Sequence, residues 1–255
     1  MRRKPARWTC SGQRSEGRDL EVRSHIYCDL VRDPVGDVIL AYEMNGKPLT
    51  REHGFPIRAI VPGFIGARSV KFLQRIIVQP EESTSYFQIT EFNGRFYSNL
   101  KRRDYKILDP TINDTNVEGA WNSAPSLGEM NVQCVICTPT GDEVIPSSDP
   151  VAVKGYAIAG GGKGIYRVEV SADGGNTWEP ADRMEQKADE ISGMFWTWAI
   201  WEKTIPRIIS STEIVARAYD SSGNIQPEHP IWNYRGVMNN AWFRTHVMQV
   251  PQNRM

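Results

Sequence analysis

The sequence lacks any apolar run near the roughly 20 residues that span a bilayer, and its N-terminus lacks the apolar segment of a secretory signal. It also lacks an excess of charge of either sign, since 30 Lys and Arg residues balance 30 Asp and Glu residues. Nucleic-acid affinity depends largely on basic residues that neutralise phosphates. We therefore expect a globular protein with no membrane span, no secretion and no nucleic-acid partner.

Cysteine is scarce, with four residues in a chain of 255, which is too few for a disulfide scaffold and fits a reducing compartment. Cys134 and Cys137 form a Cys-x-x-Cys pair. A structural zinc site needs four ligands, and neither a second such pair nor a nearby pair of histidines accompanies this one. We interpret both cysteines as small apolar residues of the strand VQCVIC.

Acidic residues are few at the N-terminus, where the first 25 residues hold seven Lys or Arg against three Asp or Glu. An Arg-rich, acid-poor start is typical of a mitochondrial transit peptide, but no clear apolar helix face accompanies the charge. Residues 1–35 are therefore expected to form a basic, disordered N-terminus, and a targeting role stays open beside a plain disordered tail.

The sequence is rich in β-strand patterns. Between residues 36 and 117, an apolar run leads into a turn at Asn45-Gly46, and two further β-rich runs, Ala59 to Val61 and Arg75 to Val78, enclose a glycine-containing loop. The stretch from Asn113 to Asn131 is rich in Asn, Gly, Ser and Pro, which indicates a domain boundary near residue 118.

Residues 118–255 contain at least six short, alternating runs that are separated by turn residues, without helical periodicity between them. These runs are VQCVICTP, PVAVKGYAIAG, IYRVEVSADGGNTWEPA, FWTWAIWEKTI, EIVARAYDSSGNIQP and AWFRTHVMQV. Their spacing predicts a mainly β fold with a C-terminal immunoglobulin-like β-sandwich. The string from Ser171 to Trp178 also resembles the Asp-box hairpin of sialidases, and a single copy indicates a fold element rather than a catalytic site.

Two short clusters could bind an anion or a heterocycle. In HGFPIR, the imidazole of His53 and the guanidinium of Arg58 flank a Gly-Pro turn. In PGFIGARSVK, glycines let backbone N–H groups approach a ligand, and Arg68 and Lys71 add positive charge. The GxxxxGK spacing of a Walker A loop is absent, which disfavours nucleotide triphosphate hydrolysis.

The order of the motifs is more specific than any one of them. AYEMNGKPL, HGFPIR, VPGFIGARSVKFL, VQPEES, RRDYK, the Asp-box-like hairpin and PIWNYRGVMNNAWFR follow one another between about Gly36 and Val250. This series resembles the sulfite oxidase family of molybdenum-cofactor oxidoreductases. The resemblance implies that residues 36–117 are the truncated end of an α+β molybdopterin-binding domain, and that residues 118–255 are an immunoglobulin-like dimerisation domain.

The resemblance also implies roles for individual residues. Molybdopterin contacts are implied at five positions, which are His53, Arg58, Ser69, Val70 and Lys71. A pterin that carries a phosphate needs hydrogen-bond donors at its ring edge and cations or backbone N–H groups at its phosphate.

Two active-site residues are implied as well. Tyr105 of RRDYK would hydrogen-bond the molybdenum oxo group or sulfite, and Arg235 of PIWNYRG would close the anion pocket from the second domain. The implied reaction oxidises sulfite to sulfate in a homodimer that passes electrons to a cytochrome or haem domain. The implied location is the mitochondrial intermembrane space, with a cytosolic or peroxisomal location left open.

Two features depart from the family pattern. The family's molybdenum is held by a cysteine thiolate upstream of HGFPxR, in a half-domain that we expect this chain to lack, because neither Cys10 nor Cys28 lies in matching context and no haem domain precedes them. We therefore expect no metal ligand in the chain. Ile89 to Lys101 forms an insert that separates Phe87-Gln88 from RRDYK. An inactive, truncated dimerisation or interaction module is one alternative, and a nitrate-reductase-like relative is another, although RRDYK favours sulfite.

Overall fold

In a computed structural model of the chain, the structure describes residues 7–13, 21–79, 109–113, 115–116, 120, 127–141, 143–146, 149–206, 208, 212–234 and 236–250. The chain forms two compact units. The first combines Met1–Glu129 with Trp232–Val237, and the second combines Met130–Ile231 with Met238–Met255. No helix in the described part of the chain is long and apolar enough to cross a membrane.

The first unit consists of short strands in three antiparallel sheets, ordered β2-β1-β7, β3-β6 and β4-β5. Two 3-10 turns, Pro34–Gly36 and Gly66–Arg68, connect some of these elements. Among the described residues of this unit, the named elements are β1 (Arg7–Gln13), β2 (Glu21–Tyr27), α1 (Cys28–Arg32), β3 (Ile39–Ala41), β4 (Glu43–Met44), β5 (Lys47–Pro48), β6 (Arg58–Ile60) and β7 (Leu73–Gln79).

The N-terminal segment differs from the disordered tail that its charge led us to expect. β1 pairs with β2 along its whole length, and on its other side it pairs with β7. The prediction of disorder is therefore wrong for residues 7–13 and 21–35. The error has a physical origin, because β7 lies far along the chain and a non-local strand pairing leaves no trace in the local charge composition.

The predicted turn at Asn45-Gly46 is confirmed as the connection of the β4-β5 hairpin. Asn45 and Gly46 both have positive φ, at 54° and 72°. A two-residue connection with two positive φ angles matches the right-handed twist of paired strands, and Asn-Gly is the residue pair that adopts it most readily. The predicted β-rich run at 75–78 lies within β7. The predicted run at 59–61 overlaps β6, which ends one residue earlier, at Ile60.

The second unit is a β-sandwich of a four-stranded sheet, ordered β13-β14-β10-β8, and a five-stranded sheet, ordered β12-β11-β15-β16-β9. All six predicted strands are present, and three short strands accompany them. The strands are β8 (Gln133–Thr138), β9 (Glu143–Pro146), β10 (Val151–Ile158), β11 (Ile165–Ser171), β12 (Glu179–Pro180), β13 (Arg183–Glu185), β14 (Ala199–Ile205), β15 (Thr212–Asp220) and β16 (Phe243–Val250).

The core of the sandwich lies between the two sheets. Along β10, buried residues such as Val151, Val153 and Ala157 alternate with more exposed ones, as the period of two predicts. Trp201 of β14 is 1% exposed and lies over Gly155 of β10, where an added Cβ would stand 2.4 Å from the indole ring. The glycine therefore makes room for the largest side chain of the core.

The Asp-box-like string forms the predicted hairpin turn after β11, and its polar side chains stabilise the turn itself. The carboxylate of Asp173 accepts hydrogen bonds from the hydroxyl of Ser171 at 2.7 Å and from the hydroxyl of Thr177 at 2.6 Å. These bonds lower the pKa of Asp173 to about 2. The indole N–H of Trp178 donates to the carbonyl of Gly175 at 2.9 Å. The residues of the string thus bond to one another as a fold element.

Candidate functional site

His53 lies in a tight, exposed turn between β5 and β6. A hydrogen bond of 2.8 Å joins its Nδ1 atom to the hydroxyl of Thr50, and the backbone N–H groups of His53 and Phe55 both donate to the carbonyl of Thr50. Gly54, the next residue, has a φ of +104°, which side chains rarely tolerate. The turn therefore presents the imidazole on a backbone that is fixed by local hydrogen bonds.

The segment Ser69–Lys71 runs beside β6 and is hydrogen-bonded to it. The N–H of Ala59 donates to the carbonyl of Val70 at 2.9 Å, and the N–H of Val61 donates to the hydroxyl of Ser69 at 3.0 Å. The side chain of Val70 is buried and is therefore not available to a ligand. These bonds hold PGFIGARSVK beside the residues that directly follow HGFPIR.

The two clusters also approach each other at Gly54 and Lys71. A Cβ atom on Gly54 would lie 2.9 Å from the Cβ of Lys71, which is closer than real side chains come. The N–H of Phe72 donates to the carbonyl of Gly54, and Phe72 itself has a φ of 55°. The ammonium group of Lys71 donates to the carbonyl of Glu52, beside His53. The imidazole and the ammonium group are thus anchored to the same turn.

Arg58 connects the turn with the segment Ser69–Lys71. Its Nη1 atom donates to the carbonyl of His53 at 3.1 Å, and its Nη2 atom donates to the carbonyl of Ser69 at 3.5 Å. The Nε atom is buried without a hydrogen-bond partner among the described residues. Partial burial lowers the pKa of the guanidinium from its ordinary value. Because that ordinary value is very high, the group keeps its positive charge near neutral pH.

Arg68 has a different role from the one that the sequence indicated. It was expected to add positive charge toward a ligand, but its side chain is 2% exposed and its Nε and Nη2 atoms both donate to the carbonyl of Leu127. A buried guanidinium that binds a main-chain carbonyl holds a loop in place. Arg68 therefore stabilises the first unit rather than offering its charge to a ligand.

The structure brings together all five residues that were predicted to contact molybdopterin. Their basic groups stand out in composition, since residues 51–71 hold four Arg or Lys and one acidic residue. A set of ammonium, guanidinium and imidazole groups fits an anionic, hydrogen-bond-accepting group such as a pterin phosphate. Sequence reasoning missed the contributions of Thr50 and Phe72. The hydrogen bond of Thr50 could have been predicted, because this residue lies three positions before His53. Nothing in the sequence indicates the positive φ of Phe72.

Tyr105, Arg235 and the insert at 89–101 lie outside the described residues. The residues around Arg235 form a compact turn, in which the buried amide of Asn233 donates to the carbonyl of Val237 at 2.8 Å and the N–H of Gly236 donates to the carbonyl of Asn233. The contacts of Trp232–Val237 place this range in the first unit, with His53 and Lys71. The expectation that Arg235 acts from the second domain stays a prediction, and the described residues on either side of it are grouped with the first unit.

The Cys-x-x-Cys pair lies in β8, as the sequence predicted. Cys134 is buried and Cys137 is exposed, and burial raises the pKa of the Cys134 thiol above its ordinary value. Residues three apart in a strand face opposite sides of a sheet, so the two thiols do not share one site. Among the residues that the structure describes, no group of three or more His, Cys, Asp or Glu side chains could hold a metal ion.

Two family models match the chain. The Mo-co oxidoreductase dimerisation domain matches residues 124–250, and the oxidoreductase molybdopterin binding domain matches residues 4–87. The second match begins well before residue 36, so it includes Cys10 and Cys28. It ends two residues before the insert that the sequence indicates at 89–101.

Known relatives are similar over most of the chain. The mitochondrial sulfite oxidase of Homo sapiens is 45% identical over 225 residues, which are 86% of this chain and 38% of that protein. A nitrate reductase [NADH] of Brassica napus is 41% identical over 227 residues, which are 85% of this chain and 23% of that protein. The chain thus spans less than half the length of these relatives.

The solved structure of the sulfane dehydrogenase SoxCD from Paracoccus pantotrophus has a similar fold. It matches with a TM-score of 0.65 and 24% sequence identity, over 88% of this chain and 49% of that one. At this identity the match supports the fold alone. The two matching domain models and the relatives above show that the chain belongs to the sulfite oxidase family of molybdenum-cofactor oxidoreductases.

Proposed function

We propose that this chain forms part of a sulfite oxidase-type enzyme, which oxidises sulfite to sulfate at a molybdenum-molybdopterin centre. The observation that supports the proposal most directly is the hydrogen-bonded junction of the two clusters, where His53, Arg58 and Lys71 lie together on a fixed backbone. The sulfite oxidases among the relatives give the substrate class.

Each residue of the junction has a role in this proposal. Lys71 and His53 bind the phosphate and the ring edge of the pterin, because both side chains are exposed and Lys71 is bonded to the turn that carries His53. Arg58 holds the turn against Ser69 and orients it. When bound, the molybdenum centre supplies oxygen-atom transfer to sulfite and accepts two electrons. Tyr105 and Arg235 are proposed to hydrogen-bond and charge-pair the substrate anion.

Replacement of Lys71 by methionine tests the cofactor site. Loss of one charge-assisted hydrogen bond to a phosphate should weaken molybdopterin binding by about 1.5 to 3 kcal/mol. The measurement is the pterin and molybdenum content of the purified protein after dilution. Lys187→Met is a matched control, because Lys187 is an exposed lysine of the second unit. Equal cofactor content in both variants would remove Lys71 from the site.

The source of the metal ligand is a separate question. The expectation that this chain supplies no molybdenum-binding cysteine stays a prediction, but Cys10 and Cys28 both lie inside the matched molybdopterin-binding domain. Cys10 also lies in β1. This strand pairs with β7, which begins two residues after Lys71. Molybdenum content of Cys10→Ser and Cys28→Ser decides the question. A loss in one variant identifies the ligand, and molybdenum that is unchanged in both supports the prediction.

A nitrate-reductase-like function is a second candidate, which the similarity to the Brassica napus enzyme favours. The two functions differ in the direction of oxygen-atom transfer, so turnover of sulfite with an electron acceptor and of nitrate with an electron donor distinguishes them. A protein that dimerises but binds no pterin under these conditions would instead support the inactive interaction module.

Three further properties belong to the same proposal, namely a homodimer formed through the sandwich, a cytochrome or haem domain as electron acceptor, and a mitochondrial intermembrane-space location. The first is supported by the match to a dimerisation domain, and the last by relatives that are named as mitochondrial. Fractionation of cells that express the tagged chain tests the location, with cytosolic or peroxisomal recovery as the contrary results.

A further inference from the structure

The side chain of Thr50 bonds to two neighbours in the turn that carries His53. Its hydroxyl lies 2.8 Å from Nδ1 of the imidazole. The carboxylate of Glu52 accepts hydrogen bonds from its own backbone N–H and from the same hydroxyl, and these bonds lower the pKa of Glu52 from its ordinary value. Glu52 is therefore ionised at neutral pH, and an ionised carboxylate only accepts hydrogen bonds.

The proton of the Thr50 hydroxyl decides which nitrogen of His53 carries hydrogen. A hydroxyl has one hydrogen to donate and two lone pairs that accept. Because its hydrogen is directed to the carboxylate of Glu52, the hydroxyl oxygen meets Nδ1 as an acceptor. Nδ1 of His53 is then the protonated nitrogen, and in the neutral ring Nε2 keeps its lone pair.

The backbone of the turn holds the ring in this arrangement. The carbonyl of Thr50 accepts from the N–H groups of His53 and Phe55. The carbonyl of His53 accepts from Nη1 of Arg58 at 3.1 Å. The imidazole itself is exposed. Since Thr50 already occupies Nδ1, Nε2 is the ring nitrogen that is left for a ligand.

The two exposed side chains of the site therefore differ in hydrogen-bonding character. The ammonium group of Lys71 only donates, which suits a phosphate, whereas Nε2 of a neutral His53 accepts, which suits an N–H group. The ring edge of a pterin carries such N–H groups. A ligand that presents only carbonyl oxygens at this point would set one lone pair against another, so the tautomer of His53 selects the ligand.

We infer that Thr50 is a positioning residue, which keeps Nδ1 of His53 protonated and so makes Nε2 an acceptor for an N–H group of the pterin ring. The inference rests on the proposed function, because it takes the cofactor from there. It deepens that function by assigning opposite hydrogen-bonding roles to His53 and Lys71.

The tautomer of His53 can be measured on the full chain without cofactor. The chain has four histidines, so a proton–nitrogen correlation spectrum of protein with isotope-labelled histidine has few signals, and His53→Gln assigns those of His53. At about pH 8.5, where an ordinary imidazole is neutral, we expect a protonated Nδ1 and an unprotonated Nε2. Thr50→Val removes the hydroxyl at nearly constant shape and should give a mixture of both tautomers, whereas Thr50→Ser should restore the protonated Nδ1.

Pterin retention connects the tautomer with the ligand. In the cofactor-loaded protein, Thr50→Val should weaken pterin binding by about 10-fold, as expected for one misdirected hydrogen bond, and Thr50→Ser should not. Thr140→Val is the matched control, because the hydroxyl of Thr140 also donates to a nearby carboxylate, that of Glu143 in the second unit. The control should change neither the tautomer nor the pterin content, and thermal unfolding establishes that each variant is folded.

The outcomes separate this inference from the proposed function. A protonated Nε2 in the unchanged protein, or a tautomer that Thr50→Val leaves the same, would overturn the inference while the cofactor site stands. Equal pterin affinity of Thr50→Val and the unchanged protein would overturn the role of Nε2 as an acceptor. An unchanged protein that shows the expected tautomer but binds no pterin would overturn the proposed cofactor site and the assigned ligand, and would support Thr50 as the residue that sets the tautomer.

Discussion

Gly155 shows how strictly a single position can depend on its surroundings. A Cβ atom there would lie 2.0 Å from the carbonyl oxygen of Val135 and 2.4 Å from the ring of Trp201. Because neither the backbone of β8 nor a buried indole can move easily, we expect Gly155→Ala to lower the free energy of unfolding by about 3 kcal/mol, at the upper end for overpacked cores. Urea denaturation of the purified protein measures this loss.

Gly141 provides the control for this prediction. No atom lies within 4 Å of the position that a Cβ on Gly141 would take. Gly141→Ala should therefore change the free energy of unfolding by no more than about 0.5 kcal/mol. Similar denaturation midpoints for the two alanine variants would show that the core between Val135 and Trp201 adapts, contrary to the close packing described above.

Asp173 gives the stability of the second unit a dependence on acid. Hydrogen bonds from Ser171 and Thr177 lower the pKa of this exposed carboxylate from 3.8 to about 2. Since the folded-state pKa is depressed, the stabilisation is fully present above about pH 4 and is lost as the pH falls toward 2. Asp173→Asn should be less stable than the unchanged protein at pH 6, and the difference in thermal midpoint should shrink between pH 4 and pH 2.

Glu190→Gln serves as the comparison for Asp173, because Glu190 is an exposed acidic residue whose partner Lys187 is 3.7 Å away. This variant should follow the unchanged protein across the same pH range. A difference for Asp173→Asn that stays constant from pH 6 to pH 2 would contradict the role of the carboxylate in the hairpin.

Individual site residues could be predicted where a contiguous motif carries them. His53 and Arg58 stand in one short string, and their hydrogen bonds span only a few residues. Arg68 could not be assigned in this way, because the carbonyl that it binds belongs to Leu127, 59 residues later. Composition showed the positive charge of Arg68, but only the folded chain shows that this charge is buried.

The same distinction holds for secondary structure elements. The six long strands of the sandwich were predictable, since alternation of apolar and polar residues reports directly on a sheet with one buried face. β1 and β2 were missed, because the basic charge of the whole N-terminal segment outweighed their strand pattern and because β7, the second partner of β1, is distant in sequence. Short pairs such as β3 with β6 are likewise defined by contacts rather than by local propensity.

The contact between the turn at Gly54 and the segment at Lys71 supports a prediction for these elements. Gly54→Ala would place a methyl group 2.9 Å from the Cβ of Lys71 and would force an alanine to a φ of +104°. We expect the turn to separate from the segment, with a loss of pterin content in the cofactor-loaded protein and a lower thermal midpoint. Pterin fluorescence after denaturation and thermal unfolding measure the two effects.

Gly46→Ala distinguishes the two causes, because Gly46 also has a positive φ, of +72°, but has no atom within 4 Å of its Cβ position. This variant should lower stability modestly through backbone strain and should leave pterin content unchanged. Equal pterin loss in both variants would mean that backbone strain alone, and not the approach of Gly54 to Lys71, affects the site.

At the scale of the whole molecule, the chain does not divide into two consecutive pieces. Composition led us to propose a boundary near residue 118, and the contacts divide the chain between Glu129 and Met130 and then return Trp232–Val237 to the first unit. Composition cannot reveal that Trp232–Val237 belongs to the first unit, because the residues before and after this segment belong to the second unit. The consequence of this division is that the described residues on either side of Arg235 belong to the unit that contains His53 and Lys71.

This arrangement makes Arg235 the most informative residue for the activity of the holoenzyme. If its guanidinium charge-pairs the sulfite anion, Arg235→Met leaves the anion without its partner at a cost of about 2 to 4 kcal/mol, most of it in kcat/KM. Tyr105→Phe removes one neutral hydrogen bond and should cost about 0.5 to 1.5 kcal/mol. Steady-state rates with sulfite measure both variants.

Arg183→Met is the control for this last prediction, because Arg183 is an exposed arginine of the second unit and is paired with Glu185. It should leave kcat/KM for sulfite unchanged. The fall for Arg235→Met should also shrink at high ionic strength, since salt already screens the attraction between guanidinium and anion. An unchanged kcat/KM in Arg235→Met would exclude Arg235 from the anion pocket. The segment Trp232–Val237 would then have only a structural role in the first unit.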